Sequence, residues 1–240
     1  MRGIILAGGT GSRLGPLTKS INKHVLPVHD VPMIYHPLRV LRNNDIDDVT
    51  IVSSPSGIGQ LAKLLGSGSD HKCRITYRVQ DQPGGIAQAL LSAYRGPMDM
   101  QTIVVILGDN VFVPSMLIPN ENQARCFLYK VNDREQLKSF GVPSFDENTC
   151  EINGVVEKPQ EPASDYAVTG LYAFGAGVWR TLREMKPSAR GEVEITDVLD
   201  FYAKCGILRH TVVTGFWGDA GTVEGMAECA AAYKEWSKSK

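Results

Sequence analysis

A glycine-rich segment near the start of the chain combines residue types that could bind a phosphate group. Gly8, Gly9 and Gly11 follow the apolar residues 4–5, which predict a buried first strand. Glycine lets the backbone approach a ligand closely, and consecutive N–H groups in such a loop can hold an anion. Arg13 adds a guanidinium fork that suits phosphate oxygens. The segment therefore predicts a loop that binds a nucleoside triphosphate.

Lys23 adds a second cation to this loop, after Pro16 and before Pro27. The prolines interrupt any continuous helix, so we expect an extended loop here. A triphosphate carries roughly three to four negative charges, and displacement at its α-phosphorus is slow until they are neutralised. Arg13 and Lys23 are therefore candidate catalytic residues, although two solvated surface cations would give the same local pattern.

Two aspartates could hold a metal ion. Asp109 follows the apolar run 103–106, so it comes at the carboxyl end of a predicted buried strand, where a carboxylate can hold Mg²⁺. Asp219 lies between glycines in the segment 217–222. Each aspartate would equally suit an ordinary turn, and the local sequence leaves open whether the fold brings the two together.

Residues 79–89 follow a predicted strand and open a helix, with glutamines beside a Pro-Gly-Gly turn. Gln80 or Gln82 could pair with the edge of a nucleotide base, because a side-chain amide both donates and accepts hydrogen bonds. Gly85 could offer backbone groups to the same base. An ordinary turn at a helix boundary is the alternative interpretation.

Three charged residues of the second half are candidate substrate ligands. Glu157 and Lys158 are adjacent at a predicted strand end, so we expect their side chains to point to opposite faces without neutralising each other. One could then meet sugar hydroxyls and the other a phosphate. Arg190 is a further candidate anion ligand, with an ordinary loop arginine as the alternative.

The elements that must position these residues alternate between strands and helices in the first half. Apolar runs predict strands over residues 3–7, 48–53, 74–78 and 103–107, separated by helices near 33–43, 58–65 and 85–93. This alternation is typical of an α/β fold with a doubly wound, mostly parallel, Rossmann-like sheet. Such sheets bind ligands at the carboxyl ends of their strands, where Gly8 and Asp109 fall.

The second half mixes strands and helices. We predict strands over 127–131, 153–156 and 168–173 and helices over 178–185 and 196–204, with an excursion over 143–150 and a polar tail over 236–240. No repeat or linker divides the chain. We expect one domain over residues 1–240, with a nucleotide-binding half over about 1–110 and a substrate-binding half over about 111–235.

Composition excludes several classes of protein. The 25 Lys and Arg against 26 Asp and Glu give a net charge of -1, which argues against a nucleic-acid-binding protein. No run approaches the ~18–20 apolar residues of a membrane span, and no signal-peptide pattern opens the chain. The five dispersed cysteines argue against a disulfide framework or a zinc site. We therefore expect a cytoplasmic protein without nucleic-acid or membrane partners.

Taken together, these segments resemble the sugar-1-phosphate nucleotidylyltransferases over nearly the whole chain. The matching segments are G-I-I-L-A-G-G-T-G-S-R-L at 3–14, K-H-V-L-P at 23–27, P-M-I-Y-H-P-L at 32–38, G-G-I-A-Q-A at 84–89, L-G-D-N at 107–110, E-K-P at 157–159, A-V-T-G-L-Y at 167–172, R-G-E-V-E-I-T-D at 190–197 and D-A-G-T at 219–222. Each segment is weak alone, but all of them in this order are specific.

The resemblance implies a role for each candidate residue. Arg13 and Lys23 would be catalytic, and Asp109 and Asp219 would hold Mg²⁺. The nucleotide-binding set would be Gly8, Gly9, Thr10, Gly11, Gln80 and Gly85. The set that binds the sugar and its phosphate would be Gly141, Glu157, Lys158, Val168 and Arg190.

The resemblance also implies the reaction and its partners. The sugar phosphate would attack the α-phosphorus of the nucleotide in line and release pyrophosphate, with dTTP and glucose 1-phosphate as substrates, in a homo-oligomer. The chain departs from the family where V-Q-D-Q-P at 79–83 replaces a more usual Q-P-S-P, which makes the base less certain than the reaction class. A uridylyltransferase or another sugar-1-phosphate nucleotidylyltransferase is therefore the alternative. It also ends shortly after Asp219, so we expect a short form without the family's C-terminal helices and their allosteric site.

Three rival functions are weaker. A nicotinamide-dependent dehydrogenase needs a third glycine where Leu14 stands and an acidic residue where Ser53 and Ser54 stand. A P-loop needs Gly followed by Lys-Ser or Lys-Thr, and no such frame occurs. A catalytically inactive sugar-nucleotide sensor is the remaining rival, but the charged residues that catalysis would need are all present.

Overall fold

The computed structural model describes residues 1–82, 84–186 and 193–239. The strands are β1 (Arg2–Ala7), β2 (Pro27–Val28), β3 (Val31–Pro32), β4 (Asp48–Ser53), β5 (Arg74–Val79), β6 (Ile103–Leu107), β7 (Asn110–Val113), β8 (Ala124–Lys130), β9 (Gly141–Phe145), β10 (Ile152–Glu157), β11 (Tyr166–Phe174), β12 (Leu208–Val212) and β13 (Phe216–Asp219). The α-helices are α1 (Tyr35–Arg42), α2 (Pro55–Leu65), α3 (Ile86–Leu91), α4 (Arg134–Leu137), α5 (Val178–Glu184), α6 (Ile195–Lys204) and α7 (Val223–Lys238).

A nine-stranded sheet runs through the described part of both halves. Its N-terminal part is parallel, in the order β5-β4-β1-β6. β11 joins β6 in the antiparallel direction, and β8 continues the sheet beside β11, followed by β12. The β9–β10 pair extends the sheet beside the first part of β11.

Helices cover both faces of this sheet because neighbouring strand residues point to opposite sides. Along β1, Ile4 and Leu6 pack with α3, α5 and α6, whereas Ile5 and Ala7 pack with α1 and α2. Both clusters are built from buried aliphatic and aromatic side chains. The predicted α/β, doubly wound fold is therefore confirmed, with an antiparallel extension in the second half.

Successive strands are added on one side of β1 first and then on the other, so the strand order of the parallel sheet switches at β1. β4 pairs with one edge of β1 and β6 with the other, so the loops after β1 and β6 diverge from adjacent strand ends. Leu6 and Leu107 are register partners, and the Gly108 N–H donates to the Leu6 carbonyl at 2.9 Å. Ligand sites form at such switch points because the diverging loops leave a crevice.

A small antiparallel pair, β7 and β13, crosses the end of this crevice. It sets Asn110 opposite Asp219, and the Ala220 N–H donates to the Asp109 carbonyl at 2.9 Å. The chain then enters α7, which begins after Thr222, whose hydroxyl accepts from the Gly225 N–H at 3.0 Å. This pairing brings two aspartates that are distant in sequence to one place.

Two local expectations are wrong. An excursion was predicted over 143–150, but its first residues, 143–145, belong to β9, because Gly141–Phe145 pairs with β10. The predicted polar tail belongs largely to α7, where the Trp236 ring lies 5.0 Å from the Arg39 guanidinium. None of the described helices is long and apolar enough to cross a membrane.

Candidate active site

A cavity of about 690 Å³ lies at the carboxyl ends of β1 and β6 and is lined by residues of both halves. Most of the predicted site residues line it: Gly8, Gly9, Thr10, Arg13, Lys23, Gln80, Gly85, Asp109, Gly141, Glu157, Lys158, Val168 and Asp219. Gln82 is exposed and lies outside the lining, as does Gly11. Arg190 lies outside the described residues.

The glycine-rich loop brings Arg13 over the cavity. Gly11 has φ 69°, a left-handed turn that favours glycine, and the 3₁₀ turns of Ser12–Thr18 follow with a kink at Gly15. The Arg13 side chain is 60% exposed, and its Nη2 lies 3.6 Å from Asp219 Oδ2. Arg13 is therefore held loosely enough to contact a ligand that enters from solvent.

Lys23 is positioned by a short 3₁₀ turn, Lys23–Val25, whose first N–H groups are capped by Asn22. The Asn22 Oδ1 accepts from the His24 N–H at 2.9 Å. Lys23 is buried, and its ammonium donates to Asp109 Oδ2. The absence of a side chain on Gly9 leaves room for this amine, because a Cβ there would lie 3.3 Å from Lys23 Nζ. The turn thus fixes one cation inside the cavity.

The pKa values of the two aspartates are shifted in opposite directions. Burial disfavours the charged form of Asp109, but the Lys23 ammonium outweighs it and lowers the pKa of Asp109 to about 2. Burial and the nearby Asp109 charge raise the pKa of Asp219. A further cation between the two carboxylates would relieve this repulsion.

The two carboxylates converge beside Gly221, together with the Arg13 guanidinium. A Cβ on Gly221 would lie 2.8 Å from both Arg13 Nη2 and Asp219 Oδ1 and 3.2 Å from Asp109 Oδ2, so only glycine lets these three groups come together here. Carboxylate oxygens are the ligands that Mg²⁺ prefers. Among the described residues no group of three or more His, Cys, Asp or Glu side chains could hold a metal. Mg²⁺ would therefore draw its remaining ligands from water or substrate phosphates, as it commonly does.

Asn110 connects Asp109 to the opposite wall of the cavity. Its Oδ1 accepts from Trp217 Nε1 at 2.6 Å and from the Gly170 N–H at 2.9 Å, and its Nδ2 donates to Asp109 Oδ1 at 3.2 Å. Sequence reasoning missed Asn110 and Trp217 as site residues, although both lie in segments that it singled out. Their role depends on contacts between distant strands, which the local pattern does not contain.

One end of the cavity is formed around Gln80. Its backbone continues from β5, where its N–H donates to the Ser53 carbonyl at 2.8 Å. Its Oε1 lies 2.7 Å from the position that a Cβ on Gly8 would take, so the amide fills the place over that glycine. Gly85, with φ 89°, begins α3 at the same end.

The expectation that Glu157 and Lys158 point to opposite faces is wrong. β10 ends at Glu157, and Lys158 has φ 48°, a left-handed conformation that redirects its side chain. Lys158 Nζ consequently lies 3.5 Å from Glu157 Oε1, and both residues line the cavity. Gly141 and Val168 are register partners on β9 and β11 beside them. Glu157 and Lys158 therefore form an ion pair at the cavity wall, and both remain accessible to a ligand.

The sequence is similar to known proteins along nearly its whole length. It matches the nucleotidyl transferase family over residues 2–235. A glucose-1-phosphate thymidylyltransferase of Neisseria gonorrhoeae is 41% identical over 240 residues, which cover 96% of this chain and 82% of the relative. A protein of the same name from an Actinoplanes species is 38% identical, covering 97% of this chain and 77% of the relative.

Two solved structures share the fold. A Bacillus anthracis protein described as a glucose-1-phosphate thymidylyltransferase, in complex with a sucrose, has a TM-score of 0.86 at 42% identity and covers 96% of this chain and 94% of its own. UDP-glucose pyrophosphorylase in complex with UDP-glucose has a TM-score of 0.84 at 26% identity and covers 98% of each chain. The similarity thus includes both walls of the cavity.

Proposed function

Because the chain belongs to the nucleotidyl transferase family, we propose that it transfers the thymidylyl group of dTTP to glucose 1-phosphate, forming dTDP-glucose and pyrophosphate. One observation carries the proposal. Gly8 and Gln80 follow β1 and β5, Gly141 and Val168 lie on β9 and β11, and Asp109 follows β6, which lies between β1 and β11 in the sheet. All of them line a single cavity together with Arg13, Lys23 and Asp219. These charged groups would meet the phosphates at which the two substrates join.

The reaction needs positioning and charge neutralisation more than acid–base chemistry. An anionic oxygen of the sugar phosphate forms a bond to the α-phosphorus, and the bond from that phosphorus to the β-phosphate oxygen breaks. The nucleophile is already ionised, so no general base is required. Arg13 and Lys23 would offset the negative charge on the phosphates as this bond exchange proceeds.

We propose that Asp109 and Asp219 hold Mg²⁺ next to these cations. When bound, the metal would supply further positive charge to the phosphate oxygens. Asn110 would keep the Asp109 carboxylate oriented toward that position through its 3.2 Å hydrogen bond. The Asp109 carboxylate would then interact with both the Lys23 ammonium and the metal.

The two ends of the cavity would select the substrates. Gly8, Gly9, Thr10 and Gly11 with Gln80 and Gly85 would bind the nucleotide, with Gly11 acting by shaping the loop. Glu157 would accept hydrogen bonds from the hexose hydroxyls beside Gly141 and Val168, and Lys158 and Arg190 would bind the sugar phosphate. We assign the nucleotide to the half over about 1–110 and the sugar phosphate to about 111–235.

The proposed setting is a cytoplasmic homo-oligomer. Five free thiols, scattered and unpaired with one another, suit a reducing compartment. The oligomer rests on the resemblance to the sugar-1-phosphate nucleotidylyltransferases. Light scattering on the purified protein tests it, and a mass equal to one chain would contradict it.

The function is tested by incubating the protein with Mg²⁺, glucose 1-phosphate and each nucleoside triphosphate in turn, with a control lacking the sugar phosphate. We expect pyrophosphate and sugar nucleotide in equal amounts, with the greatest rate for dTTP. A greater rate with UTP would replace thymidylyl by uridylyl transfer. Binding of dTDP-glucose without turnover of any triphosphate would instead support a sensor.

A further inference from the structure

A second glutamine, Gln88, lies behind Gln80 on α3. Gln80 Nε2 donates to Gln88 Oε1 at 3.1 Å. Gln80 lines the cavity and Gln88 does not, so Gln88 acts on a ligand only through its neighbour. Because the amide of Gln88 offers its oxygen here, the Gln80 amide is turned with its nitrogen toward α3.

The Gln88 amide packs against Gly84. A Cβ on Gly84 would lie 2.2 Å from Gln88 Oε1 and 2.7 Å from its Nε2, so the amide lies against a surface that only glycine provides. On the other side of α3, Ala87 and Leu90 are fully buried and hold the helix against the sheet. The Gln88 amide therefore packs between Gly84 and Gln80, with its oxygen facing Gln80 Nε2.

The orientation of Gln80 has a consequence for base recognition. One N–H of Nε2 is used by Gln88, which leaves the second N–H and Oε1 for a ligand. Thymine and uracil present a carbonyl oxygen at C4 next to an N3–H donor. Cytosine reverses both positions, with an amino group at C4 and a bare acceptor at N3. An amide free to rotate by half a turn would accept either edge, whereas a fixed amide matches one of them.

We propose that Gln88 is a positioning residue that fixes the Gln80 amide and thereby selects bases with a C4 carbonyl and an N3–H over cytosine. The inference rests on the proposed function, since it requires a nucleotide base at Gln80. With the amide fixed, cytosine meets Oε1 with an acceptor and the N–H with a donor. Both groups of Gln80 are then left unpaired, which is how a hydrogen-bonding site rejects a mismatched substrate.

The test compares dUTP with dCTP, which share the sugar and lack the thymine methyl, so they differ only at this base edge. For the wild type we expect kcat/KM to favour dUTP on the order of 1,000-fold or more. Gln88→Met has a similar length but no hydrogen-bonding group, and it should reduce the ratio to roughly 10-fold, mainly through a lower KM for dCTP. Gln88→Glu keeps the acceptor and should retain the wild-type ratio within about 3-fold.

Gly84→Ala gives an independent perturbation, because the new methyl displaces the Gln88 amide and should reduce the ratio as Gln88→Met does. Melting temperature and the KM for glucose 1-phosphate, measured on every variant, should stay near the wild-type values. An unchanged dUTP/dCTP ratio in Gln88→Met would overturn the inference. Wild-type protein that turns over no triphosphate would instead overturn the proposed function, so the two failures are distinguishable.

Discussion

At the scale of single residues, the buried pair of Lys23 and Asp109 is the most demanding feature of the site. Lys23 and Asp109 are only 7% and 8% exposed, and each provides the opposite charge that the other needs. Removing one partner of a buried ion pair leaves an uncompensated charge, which costs more than removing both. The pair therefore links the stability of the fold to its candidate chemistry.

This coupling predicts a non-additive pair of variants. Asp109→Asn and Lys23→Met should each lower the free energy of unfolding by about 3 kcal/mol, because each leaves one buried charge without its partner. The double variant should lose less than the sum of the two single losses. Urea unfolding of the four proteins measures the difference. Additive losses would show that the two groups do not interact in solution.

Substitution of Asp219 should lower activity with less loss of folding stability than substitution of Asp109. Its Oδ1 accepts from the Gly221 N–H at 2.8 Å, and an asparagine can keep that bond while losing the charge. We expect Asp219→Asn to unfold within about 1 kcal/mol of the wild type, because its partner Arg13 is largely solvated. Turnover should fall on the order of 100-fold, and the Mg²⁺ concentration for half-maximal rate should rise.

The matched control for this variant is Asp70→Asn, on the exposed turn Ser69–His71. It removes the same charge far from the cavity and should leave both turnover and the Mg²⁺ requirement unchanged. Full activity of Asp219→Asn at low Mg²⁺ would remove Asp219 from the proposed metal site.

At the scale of elements, the approach of α7 to β13 determines where Asp219 stands. A Cβ on Gly225 would lie 2.1 Å from the Asp219 carbonyl oxygen, so the first turn of α7 packs directly on that backbone. The other end of the helix is held by Tyr233, whose hydroxyl accepts from Arg39 Nη1 at 2.9 Å. A change at Gly225 should therefore act on the site through the position of the helix.

We predict that Gly225→Ala lowers turnover at least 10-fold and the melting temperature by several degrees, because the methyl meets backbone that cannot rotate away. Gly59→Ala is the control, since its new methyl would meet nothing within 4 Å inside α2. That substitution should be neutral or stabilising by up to about 1 kcal/mol, as alanine favours a helix interior. Equal effects of the two substitutions would contradict the packing argument.

The elements differ in how much of them the sequence predicts. β4 and β6 occur where they were predicted, because a buried run of β-branched residues ends at polar or glycine residues. β13 was not predicted, since four residues without a distinctive pattern form a strand only by pairing with β7. Arg2 likewise looks like a surface residue, yet it is fully buried with Nη2 2.5 Å from Asp99 Oδ2.

The candidate site shows the same division. Glycines and charged residues at strand ends could be identified locally, because their chemistry and spacing are local properties. The joint position of Asp109 and Asp219 depends on the β7–β13 pairing, and the direction of Lys158 depends on one left-handed residue. Tertiary contacts of this kind have no signature in a single segment.

At the scale of the whole molecule, stability should depend on pH through a buried histidine. His36 is 1% exposed, with Nε2 3.4 Å from the Val28 carbonyl and the ring 4.8 Å from that of Tyr233. Burial and the charge of Arg39 lower the pKa of His36 to about 4. The unfolded chain binds this proton below about pH 6.5, whereas the folded chain does not until about pH 4.

Protons therefore favour the unfolded state across this interval, and stability falls as the pH drops from about 6.5 to about 4. One such histidine contributes up to about 1.4 kcal/mol per pH unit. For His36→Gln, we predict a smaller slope of the unfolding free energy against pH in this interval. The slope should correspond to about one proton fewer taken up on unfolding. Equal slopes for wild type and His36→Gln would contradict the buried neutral state of His36.

The central proposal concerns the whole cavity: a nucleotide bound by the first half and a sugar phosphate bound by the second would meet at Arg13, Lys23 and the two aspartates, which line it. The most direct measurement follows label from dTTP carrying ³²P at either the α or the γ position, incubated with glucose 1-phosphate and Mg²⁺. We predict that α-label enters the sugar nucleotide and γ-label leaves as pyrophosphate. Transfer of γ-label to the sugar phosphate, or its release as inorganic phosphate, would contradict nucleotidyl transfer.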